Sequence, residues 1–189
     1  MEVKLEKSWP IAATPEQAWA VLSDVKATAA CMPGAAITEQ VDATHYKGTV
    51  KAKVGPAAMQ FGGDIEVQAL DAATRTMQML GKGADKAGSS AQMTLAARIA
   101  PGDAPGSCVL AGTATVVVSG KLAQFGSRLL VPVSDAMLAQ FADNFRAAAA
   151  QQQAPVAAAA PAQELNALAL MWQVFKGWLA GLFGKKAAT

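Results

Sequence analysis

The chain has one histidine, His45, and acid–base chemistry would be sought there first. It stands in "HYKGTVKAKV", where Tyr46, Gly48, Val50, Ala52 and Val54 alternate with His45, Lys47, Thr49, Lys51 and Lys53. In a half-buried strand that parity puts His45 among the lysines, in solvent. Asp64 and Glu66 lie two apart in "MQFGGDIEVQAL", so both carboxylates could share one face, as a general acid and base would. Gln60 and Gln68 have the same parity, and a solvated face is expected. Cys31 and Cys108 are far apart without metal-ligand spacing, which predicts two buried thiols rather than a disulfide or a metal site. "GKGADKAGSS", residues 81–90, is glycine-rich but lies between strands and opens no helix, so it reads as a hairpin turn, not a phosphate loop. No nucleophile meets a base and an orienting partner.

Methionine is the residue type left over. Met59, Met77, Met79 and Met93 fall on predicted strands, Met59 and Met93 on the apolar parity, and Met137 falls on a helical stripe. Flexible thioethers fill irregular cores, and they also line adaptable apolar pockets. Which of the two applies depends on the elements that carry them.

"MEVKLEKSWPIA" has Val3, Leu5, Trp9 and Ile11 on one parity, with Lys7 as the exception, which predicts a half-buried strand. Its charges leave no apolar run, so no signal peptide is expected and the main domain is placed in the cytoplasm. "ATPEQAWAVLSDVKATAACMPG" begins a helical section at Thr14 and Pro15 and ends it at "MPG". From Ala35 to Ser119 alternating segments are separated by turns such as "VGP" and "PGDAPG", the pattern of antiparallel strands with one wet face. After Gly120 the period changes. Leu122, Phe125, Leu129, Val133, Met137 and Phe141 follow at spacings of three and four, which predicts one long amphipathic helix with a kink or turn start at Pro132. The economical packing is α+β, an antiparallel sheet curved around that helix.

The composition is 52% hydrophobic and 16% charged, with much of the apolar surplus in alanine. Residues 1–148 hold equal numbers of acidic and basic side chains, and the whole net charge of +2 falls in residues 149–189. Nothing in that balance calls for a nucleic-acid partner.

"ATPEQAWAVLSD", "ACMPG", "VGP", "FGG" and "SGKLAQFGSRL", in this order, resemble the carbon monoxide dehydrogenase G-subunit family of the START-like (SRPBCC) helix-grip superfamily. The likeness covers residues 1–148 and leaves 149–163 as an Ala/Gln/Pro linker and 164–189 as a separate helix. The resemblance implies a seven-stranded sheet, two short helices and a long C-terminal helix around an apolar cavity. It also implies a non-catalytic accessory role beside a molybdenum hydroxylase of the carbon monoxide dehydrogenase type, linking that enzyme to the membrane and handling a quinone. No metal or catalytic residue is carried over, and a quinone is the one bound group implied. Tyr46, Val50, Met59, Phe61, Ile65 and Met93 on strands, with Leu122, Phe125, Leu129, Val133 and Met137 on the helix, are expected to line the cavity. Glycines 34, 120 and 126 are expected to let backbones approach closely near its mouth. An enzyme of the cyclase or hydrolase type, or a general lipid-binding protein, is the alternative. An enzyme would need polar groups inside, for which inward parity offers Tyr46, Thr113 and Thr115 at most. A third reading, a chaperone-like module, has no feature in its favour.

The last segment, "LNALALMWQVFKGWLAGLFG", holds Trp172, Trp178, Phe175 and Phe183. At helical spacing Leu168, Trp172, Phe175, Trp178, Leu179, Leu182 and Phe183 fall on one broad arc, with Lys176 opposite. A spanning helix needs about 20 mostly apolar residues. Lys176 held mid-bilayer would cost about 2.5–3.5 kcal/mol. An interfacial helix fits better, with Lys176 at the headgroups, Lys185 and Lys186 drawn to anionic lipid, and the protein peripheral to the inner face of the cell membrane. Deleting residues 164–189 should leave a soluble, folded domain that no longer floats with liposomes in a density gradient. Undiminished flotation would exclude the tail as the anchor.

Overall fold

The computed structural model describes residues 1–54 and 57–152. Strand β1 (Glu2–Ile11) leads into helices α1 (Pro15–Leu22) and α2 (Val25–Cys31). Then come β2 (Ala35–Gln40), β3 (His45–Val54), β4 (Ala57–Asp71), β5 (Thr76–Asp85), β6 (Ser90–Pro101) and β7 (Cys108–Ser119). The chain continues through α3 (Lys121–Gln124) and α4 (Ser127–Gln151). The strands form a seven-stranded antiparallel sheet in the order β1-β7-β6-β5-β4-β3-β2; the alternating pattern predicts antiparallel strands and the family resemblance their number. Every pair but β1–β7 joins neighbours in sequence, so short hairpins suffice.

Local chemistry places the helices. Thr14 forms a reciprocal capping box: its Oγ1 accepts the Gln17 amide at 3.2 Å while its own amide donates to Gln17 Oε1 at 2.9 Å. Pro15 follows in the first turn, where a missing N–H costs nothing. Asp24 caps α2 by accepting the amides of Lys26 and Ala27. Lys7, the exception in the β1 pattern, does face inward, and its Nζ reaches Asp135 on α4 at 2.9 Å. "GKGADKAGSS" is mostly strand, because β5 runs to Asp85 and β6 begins at Ser90. Gly55 and Pro56 of the expected "VGP" turn lie outside the described residues.

The predicted single long helix is broken. Phe125 caps α3, and Gly126 takes φ +68°, a left-handed conformation that suits glycine, before α4 starts. The break changes the phase of the apolar stripe, so Leu130 is buried where an unbroken helix would bury Leu129. Pro132 sits inside α4 without ending it.

At its other end α4 continues past the expected boundary at residue 148. It runs to Gln151, and Ala149 is fully buried in the core, so residues 149–151 belong to the domain and not to the linker. Residues 153–163 of the expected linker and the whole expected amphipathic helix, 164–189, lie outside the described residues. Among the described residues no helix is long and apolar enough to cross a membrane.

The main core fills only one end of the sheet. Ile11, Ala18, Val21, Leu22, Met77, Ile99, Cys108 and Leu110 surround Phe145 and Ala149 of α4. Cys31 and Cys108 are free and buried there, as their spacing predicts. Burial pushes both thiols up, so they stay protonated. Phe145 is 0% exposed, and its ring lies 5.8 Å from that of Phe141. Phe145→Ala should destabilise the domain by about 3–5 kcal/mol, because close neighbours on every side cannot collapse into the void. Urea denaturation measures the difference, and a cost near zero would show that this end of the core is loose.

Candidate functional site

Toward the other end of the sheet the helix stands away. Helix α4 contacts α1, α2, β1 and β3, while the middle strands do not approach it closely. A cavity of about 330 Å³ fills the gap, inside the about 300–1,000 Å³ range usual for small-molecule sites. Its walls come from β2 to β7, β1, the end of α2, Leu122 of α3 and the first half of α4.

Glycine explains why space is left. On the inward parity of the central strands stand Gly48, Gly63, Gly81 and Gly83, and the register aligns Gly48 with Gly63 and Gly63 with Gly83. A side chain at any of these positions would enter the volume or clash. A Cβ on Gly63 would collide with the backbone of Lys82 and Gly83, and one on Gly48 would meet the Ala36 carbonyl at 2.9 Å. The sheet is therefore both thin and closely approached where the cavity is widest.

Of the strand residues expected to line the cavity, Val50, Phe61, Ile65 and Met93 do so. From the helices Leu122, Val133 and Met137 join them. Four others do not. Tyr46 lies further along β3 toward the filled end, buried with Val25 and Val67, and its hydroxyl donates to the Ala43 carbonyl at 3.3 Å. Met59 packs with Val118, Leu122 and Leu130, so it supports the wall from behind. Phe125 and Leu129 pack against that same cluster, because the break at Gly126 turns them away from the position an unbroken helix would give them. Residues missed from sequence include Ala29 and Met32 at the end of α2 and Ile37 of β2, which close one side. No single strand carried a signal for them: the inward glycines mark a hollow only once the register aligns them.

Polar groups are scarce in the wall. Among the described residues they are Thr49, Lys82 and Ser134. Thr49 and Lys82 belong to the outward parity of their strands, opposite Gly62 and Asp64 across β4. Thr113 and Thr115, offered by parity as inward groups, are on the outer face; Cys108, Leu110, Val116 and Val118 are the inward residues of β7. No buried side-chain nitrogen or oxygen among the described residues lacks a hydrogen-bond partner. Such a cavity can hold an apolar molecule, and its lining presents no pair poised for proton transfer.

The other candidates for chemistry lie elsewhere. His45 is exposed at the start of β3, where its Nδ1 meets the Asp42 carboxylate at 2.9 Å. The Asp42 carboxyl is held down at about 2 by the Thr44 amide first, then by the His45 ring and the His45 amide. That cluster caps a turn and faces solvent. Asp64 is exposed opposite Lys47 and Lys82, a solvated face as expected. Among the described residues no group of three His, Cys, Asp or Glu side chains could hold a metal.

Of the glycines expected near the mouth, Gly34 and Gly120 do mediate close approach. A Cβ on Gly34 would strike the Lys51 carbonyl, and one on Gly120 the Gly88 carbonyl. Gly126 has open space around it, and its φ alone calls for glycine. Beside Gly120, the buried Ser89 Oγ accepts the Leu122 amide at 3.1 Å, which fixes α3 to the β5–β6 hairpin.

Known structures share this architecture. A conserved protein from Geobacillus kaustophilus superposes with a TM-score of 0.70 at 19% identity, over 78% of this chain and 95% of that one. The ZhuI aromatase/cyclase from Streptomyces sp. R1128 gives 0.58 at 16% identity, over 79% and 94%. A START superfamily protein from Mycobacterium smegmatis gives 0.55 at 15% identity, over 78% and 97%. At these identities the likeness is one of fold, a START-like helix-grip. No curated protein matches the sequence. Residues 8–150, which include every wall of the cavity but Val3, match the family of the carbon monoxide dehydrogenase G subunit (CoxG), and the chain belongs to that family.

Proposed function

We propose that this protein is a non-catalytic accessory subunit that binds an apolar small molecule between its sheet and α4. It would serve a molybdenum hydroxylase of the carbon monoxide dehydrogenase type; the family's description names carbon monoxide dehydrogenase, which supports this reading. The supporting observation is the cavity itself: side chains such as Val50, Phe61, Ile65, Met93 and Met137 surround about 330 Å³ with little polar surface. A membrane quinone suits this wall, since the flexible methionines adapt to an isoprenoid chain and its head needs only one or two polar contacts. Ser134, on α4, is the polar wall residue best placed by parity to offer one. Residues 164–189 would hold the domain at the inner face of the cell membrane, where such a ligand resides.

An enzymatic reading has one point in its favour, the shared fold with an aromatase/cyclase. It requires an acid or base against the substrate, and the walls offer Thr49, Lys82 and Ser134.

Val133→Trp separates a working cavity from a solid core. An indole in a close-packed interior destabilises by about 1–3 kcal/mol. Here it should cost little stability and abolish uptake. The measurement is the quinone recovered by solvent extraction from wild-type and variant protein after incubation with membrane lipid, beside their melting temperatures. No quinone on the wild type, together with a large fall in melting temperature of the variant, would exclude the ligand-carrier reading.

A further inference from the structure

Residues 1–148 carry as many acidic as basic side chains, yet the two signs are unevenly spread along the sheet. The strand register puts the β3–β4 and β5–β6 hairpins, α3 and the start of α4 at one end. Lys51, Lys53, Lys86, Lys121 and Arg128 are all exposed there. Among the described residues the carboxylates of that end are Glu2 and Asp85. Glu2 has Lys4 beside it at 3.4 Å, and Asp85 Oδ1 accepts the amides of Ala87 and Ser89 in its own turn. At the opposite end Glu16, Asp24, Asp42, Asp71, Asp103 and Asp143 are exposed, but Lys26, Arg75, Arg98 and Arg146 stand among them, and Arg75 bridges Glu16 and Arg146 bridges Asp143, each at 2.6 Å. Positive charge is thus in excess at the first end, while the opposite end carries only a modest surplus of carboxylates.

The cavity lies on the cationic side. Its strand walls use Val50 and Ala52 of β3, Phe61 of β4, Gly83 of β5, Ala91 of β6 and Val118 of β7, the portions nearest those hairpins. The opposite end is filled by Phe145 and its neighbours, so a ligand has no passage through it. The lysines and Arg128 stand at the end of the sheet nearest the cavity, beyond the cluster of Met59, Val118, Leu122 and Leu130. Val131, one turn from Arg128 on α4, is 36% exposed beside them.

We propose that this cationic rim is a docking face for an anionic lipid surface and turns the cavity toward the bilayer. The proposal rests on the ligand-carrier reading for its purpose, but not for its chemistry. An anionic bilayer offers negative headgroups at the level of the rim and an apolar phase just beneath, which matches exposed lysines and Arg128 beside the exposed Val131 at the cavity's end of the sheet. An acidic protein face would match the positive charges alone. The opposite end has no such positive excess, so the asymmetry sets orientation as well as attraction. The rim orients what the tail holds, and salt screens its contact.

The test uses the full chain with a single added cysteine, Ala87→Cys in the β5–β6 hairpin or Ala104→Cys at the opposite end. Each carries an environment-sensitive fluorophore, while Cys31 and Cys108 are 3% and 0% exposed and escape labelling in the folded protein. Vesicles are phosphatidylcholine alone or mixed with phosphatidylglycerol. The expected result is a blue shift at Ala87→Cys on the anionic vesicles only, none at Ala104→Cys, and loss of the shift in about 1 M salt. Adding Lys86→Glu, Lys121→Glu and Arg128→Glu together should also remove the shift, with flotation and melting temperature unchanged. Flotation with both labels silent, or a shift that survives charge reversal, overturns the proposal. A shift at Ala87→Cys that needs a soluble molybdenum hydroxylase and no lipid overturns it in favour of a protein partner. A shift without flotation leaves the rim standing and removes the tail as anchor; neither signal removes both.

Discussion

Helix α4 is anchored at one end only, and the rest of the architecture follows from that constraint. Phe145, Ala142 and Ala149 enter the packed core against α1 and the sheet. Three hydrogen bonds tie the same end down. Gln17 Nε2 donates to the Gln152 carbonyl at 2.7 Å, Asn144 Nδ2 to the Cys31 carbonyl at 2.9 Å, and Arg146 Nε to the Pro10 carbonyl at 3.1 Å. Each saturates a backbone carbonyl at the end of an element, where the regular ladder leaves one unpaired. The first half of the helix has no equivalent clamp on the middle strands. It rests on a small cluster of Leu122, Leu130, Met59 and Val118 and on the Lys7–Asp135 ion pair to β1, and otherwise spans a gap.

A gap of this kind costs stability, because wall atoms lose dispersion contacts on one side. The filled end makes that tolerable, since hydrophobic burial there supplies what the hollow end lacks. Function and stability are thus divided along the sheet. The well-packed end carries α1, α2 and the buried thiols, and the thin end carries the inward glycines. Because the wall has few polar groups, water inside has few partners and is displaced at low cost by an apolar guest. Shape and apolarity would then set ligand preference more than directed hydrogen bonds, an arrangement suited to a carrier that must also release its cargo.

Charge follows the same axis. Positive side chains are in excess where the cavity lies, while the filled end mixes carboxylates with Lys26, Arg75, Arg98 and Arg146, so a charged surface meeting the domain applies a torque as well as a force. Neither distribution is needed for folding. Most of these residues are exposed, and exposed charges contribute little to stability. Their uneven distribution bears on what the domain faces, and its positive end is the end nearest the cavity.

Much of this was legible in residue order. Alternation in "HYKGTVKAKV" and its neighbours specified strands and their wet face, since a period of two admits one buried side. Thr14-Pro15 and "MPG" bracketed the helical section through capping and turn chemistry that acts within a few residues. Spacing also placed His45 in solvent and kept Cys31 and Cys108 apart as thiols. What the sequence could not decide depended on contacts between distant elements. Whether Met77 or Met93 fills a core or lines a hollow turns on which end of the sheet α4 grips, and that depends on Phe145 meeting Ile11 and Ile99. Helical periodicity alone made Phe125 and Leu129 lining residues. The left-handed turn at Gly126, set where α3 locks onto Ser89 and Gly88, rotated them out and brought Leu130 in. The cavity arises in the same way: Gly48, Gly63 and Gly83 are ordinary in their separate strands, and they make a hollow only when the register sets them side by side beneath a helix that does not reach them.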